Sequence, residues 1–202
     1  MPDRYDTSGN IEDEYYPGTA VLKNREEIRD SMDLLERETE FLVAAYEEVF
    51  TRFDESLTAD LRFFYSLHNR VFGALFEWAG RPRTVQIAKG STPFCPSQNI
   101  AAMLHGLFAE LKQHHWLSNL NQLAFLQQAA RYMCEINAVH PFREGNGRII
   151  RFYVDVLAAR VHGDLFDWTK TSQEEYLQAC VVGFGGDYRL MVSILQRCAT
   201  FV

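Results

Sequence analysis

The segment His140-Pro-Phe-Arg-Glu-Gly-Asn-Gly-Arg148 brings together the residue types of this chain that are best suited to chemistry. Its glycines come directly before a predicted helix. The first backbone N–H groups of a helix have no partner within the helix and carry a partial positive charge. Because Gly145 and Gly147 have no side chain, an anion can approach these N–H groups closely. The pattern predicts a phosphate-binding loop, and an ordinary turn is the alternative.

Two arginines, Arg148 and Arg151, lie three residues apart and share one face of the predicted helix. Cations near a helix N-terminus oppose the helix dipole, so two of them there favour an anion between them. Guanidinium groups also match phosphate oxygens in bidentate geometry. We interpret the pair as phosphate ligands, with salt-bridged surface arginines as the alternative.

Glu144 and His140 complete the constellation. A carboxylate beside a triphosphate repels it unless a cation lies between them, and Mg²⁺ is the expected cation because it binds one or two carboxylates together with phosphate oxygens. Imidazole titrates near neutral pH and can take a proton from a hydroxyl. A base, a cation ligand and a phosphate cradle predict in-line attack of a hydroxyl on phosphorus. A helix-capping acid and a packed or solvated loop histidine are the respective alternatives.

The elements that must position this segment are mostly helices, because apolar residues recur at three- and four-residue steps. The pattern predicts helices over residues 25–53, 56–78, 100–111, 119–139, 146–161, 172–182 and 190–200. In the first of them, Met32 and Leu35 are expected to face the core. The predicted fold class is all-α with one β-hairpin. A single domain over residues 25–202 follows a loosely ordered N-terminal arm, residues 1–24.

The hairpin is predicted within residues 83–94, where the pattern changes character. The run Thr84-Val85-Gln86-Ile87 is short and rich in β-branched residues, and Lys89-Gly90-Ser91 is typical of a turn. This hairpin is expected to leave an unpaired edge, to which another chain could add a strand.

Composition and charge exclude several classes of protein. A net charge of −7 argues against direct binding of nucleic acid, although one local anion site needs only a few donors. No apolar run is long enough to span a membrane, and the N-terminus lacks the apolar stretch of a signal peptide. The cysteines are too widely spaced for a zinc clip and are expected to be free thiols in a reducing compartment; they are Cys95, Cys134, Cys180 and Cys198. These features predict a cytoplasmic protein. We expect it to be bacterial, with delivery into a host cell as an open alternative.

Residues 140–148, followed by Arg151, resemble the complete motif of the Fic (filamentation-induced-by-cAMP) family. The likeness extends to residues 67–80, to residues 89–94 and to a lead-in at residues 16–24, so it covers nearly the whole chain. The resemblance implies a Fic-type helical bundle with a β-hairpin flap beside the active-site loop. It also implies an enzyme that transfers AMP from ATP to a Tyr, Ser or Thr hydroxyl of a target protein.

By the same resemblance, His140 is the catalytic base and Glu144 binds Mg²⁺. The implied nucleotide-binding residues are Lys89, Gly90, Arg143, Glu144, Gly145, Asn146, Gly147, Arg148 and Arg151. The flap residues implied to dock the target are Val85, Gln86, Ile87, Ala88 and Lys89. Gly147 favours AMP transfer, because the phosphorylating branch of the family carries a lysine there. Transfer of UMP, phosphocholine or phosphate, and a non-catalytic nucleotide-binding or docking domain, are the alternatives.

In this family the usual control device is a helix whose glutamate pairs with the second arginine, here Arg151. Its pattern is Ser or Thr, three residues, Glu, and then Gly or Asn. The segments Ser8–Glu12, Thr51–Glu55 and Thr171–Glu175 all fail at the position after the glutamate. The chain is therefore expected to lack its own inhibitor and to be the toxin partner of a separate small antitoxin, which supplies the glutamate.

Four further side chains are expected to be structural or exposed. Phe142 is apolar within a polar loop and should anchor that loop in the core, whereas Arg143 should face solvent. His68 lies beside the apolar stripe of its helix and is expected to be a hydrogen-bonded structural histidine. Asn137 is expected to hold the loop in place by a hydrogen bond.

Overall fold

The computed structural model describes residues 6–8, 14–54, 57–89 and 92–201. Within these ranges the chain forms a bundle of α-helices with one small β-sheet. The helices are α1 (Ser31–Thr51), α2 (Leu61–Phe72), α3 (Ile100–Gln113), α4 (Gln122–Val139), α5 (Asn146–His162), α6 (Gln173–Phe184) and α7 (Arg189–Cys198). The predicted all-α class with one hairpin is thereby confirmed. In this part of the chain, no helix combines the length and apolar character that crossing a membrane would need.

Helices α4 and α5 carry the predicted phosphate-binding loop between them. Helix α4 starts where the Asn121 side chain accepts the Ala124 N–H, and it ends at His140. Helix α5 is buried on most of its surface, including Ile149, Phe152 and the residues around them. A short turn between two helices in the core therefore fixes the positions of residues 140–145.

Helix α1 begins later than predicted and turns a different face to the core. Asp30 caps it by accepting hydrogen bonds from the N–H groups of Met32 and Asp33. Met32 and Leu35, which were expected to face the core, are 68% and 48% exposed. That prediction was wrong because a glutamate occupies a core-facing position and conceals the true stripe. The buried residues of α1 are Leu34, Glu38, Ala45 and Val49.

Helix α2 is shorter than the predicted range of 56–78. The Asp60 side chain caps it by accepting the Phe63 N–H at 2.9 Å, and the helix ends at Phe72. The residues that follow form turns as far as Gly80. These turns bring the Gly80 backbone back beside α2, where it supports the active-site loop described below.

A three-stranded antiparallel sheet stands where the hairpin was predicted. Strand β1 (Asp6–Ser8) pairs with β2 (Gln86–Lys89), and β2 pairs with β3 (Thr92–Pro93). The hairpin is confirmed. Its β2 edge, however, is not left unpaired as expected, because residues 6–8 occupy it on the side opposite β3. Such a short strand leaves no periodic signal in the sequence.

Residues 14–24 of the N-terminal arm pack against the helical domain. Leu22 is buried and forms an antiparallel bridge with Tyr15. The Asn24 side chain holds the next turn, because its amide group donates to the Leu22 and Ile28 carbonyls and its oxygen accepts the Ile28 N–H. This part of the arm is therefore fixed to the domain by burial and by hydrogen bonds.

Asp155 of α5 is a buried carboxylate that ties three segments together. Its oxygens accept hydrogen bonds from the Tyr46 hydroxyl at 2.7 Å, the Trp168 indole N–H at 2.8 Å and the Phe166 backbone N–H at 3.0 Å. Burial raises the pKa of this carboxyl to about 6, although the three donors act in the opposite direction.

We expect Asp155→Asn to change the pH dependence of stability. The unfolded aspartate releases its proton near the usual pKa of 3.8, whereas the folded one holds it to about pH 6. Between these values the folded protein binds more protons, so the free energy of unfolding falls as pH rises, by roughly 3 kcal/mol in total. Urea unfolding of the wild type and of Asp155→Asn at about pH 4 and about pH 7 measures this effect. The free energy of unfolding of the wild type should fall between the two pH values by more than that of Asp155→Asn. A difference that does not vary with pH would contradict the assignment.

Candidate active site

The loop between α4 and α5 is held by a reciprocal pair of hydrogen bonds. The Asn146 side chain accepts the Phe142 N–H and donates to the Phe142 carbonyl, each at 2.8 Å. The Phe142 ring is fully buried and stacks on His68 with ring centroids 3.8 Å apart. The predicted anchoring of the loop by Phe142 is confirmed. The side-chain amide of Asn146 is thus engaged by the loop. The group that Asn146 can offer to a ligand is its backbone N–H.

His68 supports the same loop from α2. Its Nδ1 accepts the Gly80 N–H at 2.9 Å, so its Nε2 carries the proton and donates to the Glu144 carbonyl at 3.1 Å. Burial lowers the pKa of the imidazole to about 3, which keeps the ring neutral. The two hydrogen bonds then fix the tautomer. The expectation of a hydrogen-bonded structural histidine is confirmed.

Gly145, just before α5, and Gly147, in its first turn, serve different purposes. Gly145 has a φ of +78°, and a Cβ there would lie 2.4 Å from ring carbons of Phe72, so both the backbone conformation and the packing demand glycine. A Cβ on Gly147 would have an ordinary contact of 3.7 Å with the Tyr176 ring as its nearest neighbour. The fold tolerates a side chain at Gly147, and its absence keeps the space before α5 open.

The start of α5 opens into a cavity of about 580 Å³. Gly145 is the N-cap residue of α5 and provides no side-chain cap to the first turn. The N–H donors of this turn and the two arginines therefore converge on one concave space, as phosphate binding requires. Residues of α1, α5 and α6 and the loop line it, among them Glu38, Glu144, Asn146, Gly147, Arg148, Arg151 and Tyr176.

Arg148 forms an ion pair that sequence reasoning did not find. Its Nη1 donates to Glu38 Oε2 of α1 at 2.7 Å, and its Nη2 lies 3.7 Å from Glu144 Oε1. The guanidinium lies over the Phe72 ring, 4.9 Å from the centroid. Glu38 is 5% exposed, and burial raises the pKa of its carboxyl even though Arg148 acts in the opposite direction. These contacts hold the guanidinium in one orientation at the cavity wall.

Arg151 lies against aromatic rings one turn further along α5. Its guanidinium carbon is 5.1 Å from the Tyr176 centroid and 5.9 Å from the Trp168 centroid. Trp168 is in turn fixed by its hydrogen bond to Asp155. Among the residues that the structure describes, no carboxylate forms an ion pair with Arg151 within 4.0 Å. This guanidinium is therefore positioned by rings and is suited to binding the anion of a ligand.

Glu144 has two contacts that bear on its role. Its Oε1 accepts the Gly145 N–H at 2.8 Å, which holds the carboxylate beside the start of α5, and it also lines the cavity. No group of three or more His, Cys, Asp or Glu side chains in the described ranges could enclose a metal ion. A single carboxylate suits Mg²⁺, which completes its coordination with phosphate oxygens of a ligand and with water. The residues present therefore fit a Mg²⁺ ion that arrives with a nucleotide.

Arg143 is not solvent-facing, and that expectation was wrong. The residue is 4% exposed, because the N-terminal arm returns to cover it. Its Nε donates to Glu14 Oε2 at 2.8 Å, and its Nη2 donates to the Tyr15 hydroxyl at 2.7 Å. The side chain is thus bonded to the arm and does not line the cavity. A direct contact of Arg143 with a nucleotide stays a prediction.

His140 is held in an uncommon backbone conformation beside the flap. Its φ of 49° is left-handed, and its Nδ1 lies 3.3 Å from the Asn137 carbonyl oxygen. A proton on Nδ1 would donate to that carbonyl, which leaves Nε2 as the basic nitrogen. The ring is 5% exposed and stacks on Phe94 with centroids 3.9 Å apart. His140 is not among the residues that line the cavity.

Arg83 joins the flap to the His140 loop. Its buried guanidinium donates to the carbonyls of His140 and Val85 at 2.8 and 2.6 Å, and to that of Cys95 at 2.6 Å. Its backbone N–H donates to the Pro141 carbonyl at 2.8 Å. A residue other than glycine keeps a left-handed backbone conformation only where its surroundings hold it there. Arg83 provides that restraint at His140.

The remaining predicted site residues lie on the flap. Val85 comes directly before β2, whose residues are Gln86, Ile87, Ala88 and Lys89. Gly90, predicted to bind nucleotide, lies outside the described residues, as does Glu12 of the candidate inhibitory segment. Whether the flap residues bind a nucleotide or a target is therefore still a prediction.

Sequence reasoning missed three residues that shape the site, namely Glu38, Arg83 and Phe94. Glu38 had a usable signal, since a charged residue within a buried helical stripe requires a partner of opposite charge. Arg83 had none, because its partners are carbonyl groups rather than side chains. Phe94 follows a short strand, and only the folded structure brings it against His140.

Comparison with known proteins places this site in a family. The profile of the Fic/DOC family matches residues 57–158. The probable protein adenylyltransferase y4lH of Sinorhizobium fredii is 34% identical over 183 residues, which are 90% of this chain and 93% of y4lH. The probable protein adenylyltransferase Fic of Escherichia coli is 32% identical over 197 residues, 95% of this chain and 94% of that protein. Protein adenylyltransferase VbhT of Bartonella schoenbuchensis is 33% identical over 91% of this chain, which covers 38% of VbhT.

Solved structures share the fold. The VirB-translocated effector BepC of Bartonella tribocorum, with bound AMPPNP, has a TM-score of 0.81 at 24% identity and covers 95% of this chain and 98% of its own. The N-terminal Fic domain of an effector from Bartonella sp. AR 15-3 has a TM-score of 0.84 at 22% identity. The match covers 98% of this chain and 96% of that domain. At these identities the likeness establishes the helical architecture.

Proposed function

This chain belongs to the Fic/DOC family, and on that premise we propose that it is a protein adenylyltransferase. The proposed reaction moves AMP from ATP to a Tyr, Ser or Thr hydroxyl of a target protein. Relatives named as protein adenylyltransferases, which match this chain over nearly their full length, support this activity. The AMPPNP bound to BepC, which has the same fold, supports a nucleotide substrate.

The single observation that carries the proposal is the open start of α5. Gly145 is required by the fold, whereas Gly147 is not, so the bare backbone at Gly147 serves the cavity rather than the packing. Arg148 and Arg151 reach the same cavity. A concave space with N–H donors and two guanidinium groups is complementary to a polyphosphate.

The proposed reaction assigns one task to His140 and another to the start of α5. The acceptor hydroxyl approaches from the side of the flap and gives its proton to Nε2 of His140. Its oxygen forms a bond to the α-phosphorus, and the bond from that phosphorus to the pyrophosphate breaks. Arg148, Arg151 and the N–H groups of the first turn of α5 stabilise the negative charge that grows on the pyrophosphate.

A Mg²⁺ ion would be held by Glu144 together with phosphate oxygens. When bound, it neutralises phosphate charge next to this carboxylate. The Glu144 backbone is already fixed, because its carbonyl accepts the His68 N–H. The carboxylate itself is oriented by the Gly145 N–H and by Arg148.

ATP labelled separately at the α- and γ-phosphorus tests the reaction class. We expect label from the α position, and none from the γ position, to enter protein when the purified chain is mixed with a bacterial lysate. Entry of γ label instead would assign phosphate transfer, and entry of neither would contradict the proposal. UTP labelled at the α position serves as the parallel test for UMP transfer.

Alanine at the two glycines should separate stability from nucleotide binding. Gly145→Ala is expected to lower the free energy of unfolding by at least about 2 kcal/mol, because alanine disfavours a positive φ and clashes with Phe72. Gly147→Ala should leave stability unchanged or raise it by up to about 1 kcal/mol, since alanine favours the helix. Its methyl group should nevertheless weaken ATP binding by roughly tenfold by entering the cradle.

Urea unfolding and ATP titration calorimetry measure the two effects for each variant. Each glycine variant is the control for the other, because the same methyl group is added two residues apart. A Gly147→Ala protein that binds ATP as tightly as the wild type would contradict the role assigned to the open start of α5.

We further propose that a separate antitoxin protein inhibits this enzyme by supplying a glutamate to Arg151. Support comes from the absence of an ion pair to Arg151 among the described residues. Support also comes from Met32, Leu35 and Leu177, which line the cavity although they are 68%, 48% and 36% exposed. Such exposed apolar side chains beside a site favour a partner that covers them.

The inhibitor proposal has a direct test. When the chain is purified without any partner, it should transfer α-phosphorus label from ATP to proteins of a bacterial lysate. No glutamate of the chain should have to be removed first. A strong rise in activity on Glu12→Gly would instead assign control to the N-terminal arm of the chain itself, and would contradict the need for a separate protein.

A further inference from the structure

We infer that the edge of β2 opposite β3 is a strand-docking surface whose occupant is residues 6–8 of the same chain. A target segment must then replace these residues in the same register. The inference rests on the proposed function, since it is the acceptor protein that would compete for this edge. It is carried by the pairing of β1 with β2.

The backbone pattern shows which groups β2 offers at this edge. The Phe94 N–H donates to the Ile87 carbonyl at 3.2 Å, so the polar backbone groups of Ile87 face β3. These groups alternate in direction along an antiparallel strand, so those of Gln86 and Ala88 face β1. Their partners in the register are Ser8 and Asp6. Without β1, the N–H and carbonyl groups of Gln86 and Ala88 would form an open edge.

The opposite edge of the sheet is unsuited to the same use. Pro93 lies opposite Ala88 in the pairing of β3 with β2. Because Ala88 directs its polar groups away from β3, the matching position on β3 is directed outward. Proline has no N–H to donate there. Of the two edges of the hairpin formed by β2 and β3, the edge of β2 is therefore the one equipped to receive an extended segment.

The arm that carries this strand is held at a second point, close to the active site. Arg143 is buried and donates to the Glu14 carboxylate and the Tyr15 hydroxyl. Arg143 lies between His140 and Gly145, so the arm is anchored both at the flap and at the active-site loop. Tethering through a short segment gives the occupant an effective concentration on the order of millimolar. An acceptor at lower concentration has to add contacts beyond the strand in order to displace it.

Proline substitutions in β1 test the inference with a matched pair. Ser8 lies opposite Gln86, so Ser8→Pro removes an N–H that faces β2 and should release the strand. Thr7 lies opposite Ile87, where the N–H faces away from β2, so Thr7→Pro is the control. Both proteins keep the full chain and all the residues of the proposed active site.

Two measurements report on the pair. Hydrogen exchange of the Gln86 and Ala88 amides should become about tenfold faster in Ser8→Pro, because two pairs of backbone hydrogen bonds are lost. Transfer of α-phosphorus label from ATP to proteins of a bacterial lysate should rise by about the same factor, because the binding-competent fraction of the flap increases. Thr7→Pro should match the wild type in both.

Each outcome decides the matter. Equal exchange at Gln86 and Ala88 in the wild type and Ser8→Pro would overturn the inference, because residues 6–8 would not be the occupant. Faster exchange without faster transfer would overturn it as well, because the occupant would not limit docking of the acceptor. An absence of transfer in all three proteins would contradict the proposed function instead, and the exchange rates would still identify the occupant.

Discussion

Replacement of His140 by alanine should slow AMP transfer by about 10²- to 10⁴-fold, the usual contribution of a positioned general base. The ring is fixed for this role by its contact with Phe94 and by the Asn137 carbonyl beside Nδ1. ATP binding should persist, because His140 does not line the cavity that contains Arg148 and Arg151. Initial rates with α-labelled ATP and the calorimetric affinity for ATP measure the two quantities.

His140→Asn is the matched variant for folding. Asparagine tolerates the left-handed backbone of His140 better than alanine does, so its thermal unfolding should resemble that of the wild type. Loss of transfer in both variants then assigns the effect to proton removal rather than to a misfolded loop. A transfer rate within about threefold of the wild type in the asparagine variant would contradict the role of the imidazole.

Contiguity explains why so much of the site could be predicted from sequence. Residues 140–148 and Arg151 lie on one turn and the start of one helix, so their spacing in sequence nearly fixes their spacing in space. The helices around them were predictable for a similar reason, since periodicity is local. Their ends were less so, because a single side chain such as Asp30 or Asp60 decides where a helix starts.

Contacts between distant parts of the chain account for what could not be predicted. Glu38 meets Arg148 across 110 positions, and Glu14 meets Arg143 across 129. A polar loop residue usually faces solvent, and only the returning arm explains why Arg143 does not. The strand at residues 6–8 could not be predicted for the same reason, because its pairing with β2 joins distant parts of the chain and depends on the path of the arm.

Replacement of Arg148 by alanine should lower both stability and activity. Glu38 would remain buried without its cation, which costs about 3 kcal/mol in the free energy of unfolding. Transfer should fall by roughly 10²-fold, because one charged contact to the departing phosphates is lost. Urea unfolding and initial rates with α-labelled ATP measure the two losses.

The pair formed by Arg131 and Glu110 provides the surface control. Its N–O distance is 2.6 Å, close to that of the Arg148–Glu38 pair, but its side chains are 29% and 34% exposed. Arg131→Ala should cost less than about 1 kcal/mol, because solvent screens an exposed pair. It should leave transfer unchanged, since neither residue lines the cavity.

Adding Glu38→Gln to Arg148→Ala separates the two roles of the arginine. The double variant no longer buries an unpaired carboxylate, so most of the lost stability should return, while transfer should stay low because the phosphate contact is still missing. Glu38→Gln alone keeps an oxygen that can accept from Arg148, so transfer should remain within about threefold of the wild type. If stability fails to return in the double variant, the cost of Arg148→Ala does not arise from Glu38. If transfer returns together with stability, Arg148 acts by holding the fold rather than by binding phosphate.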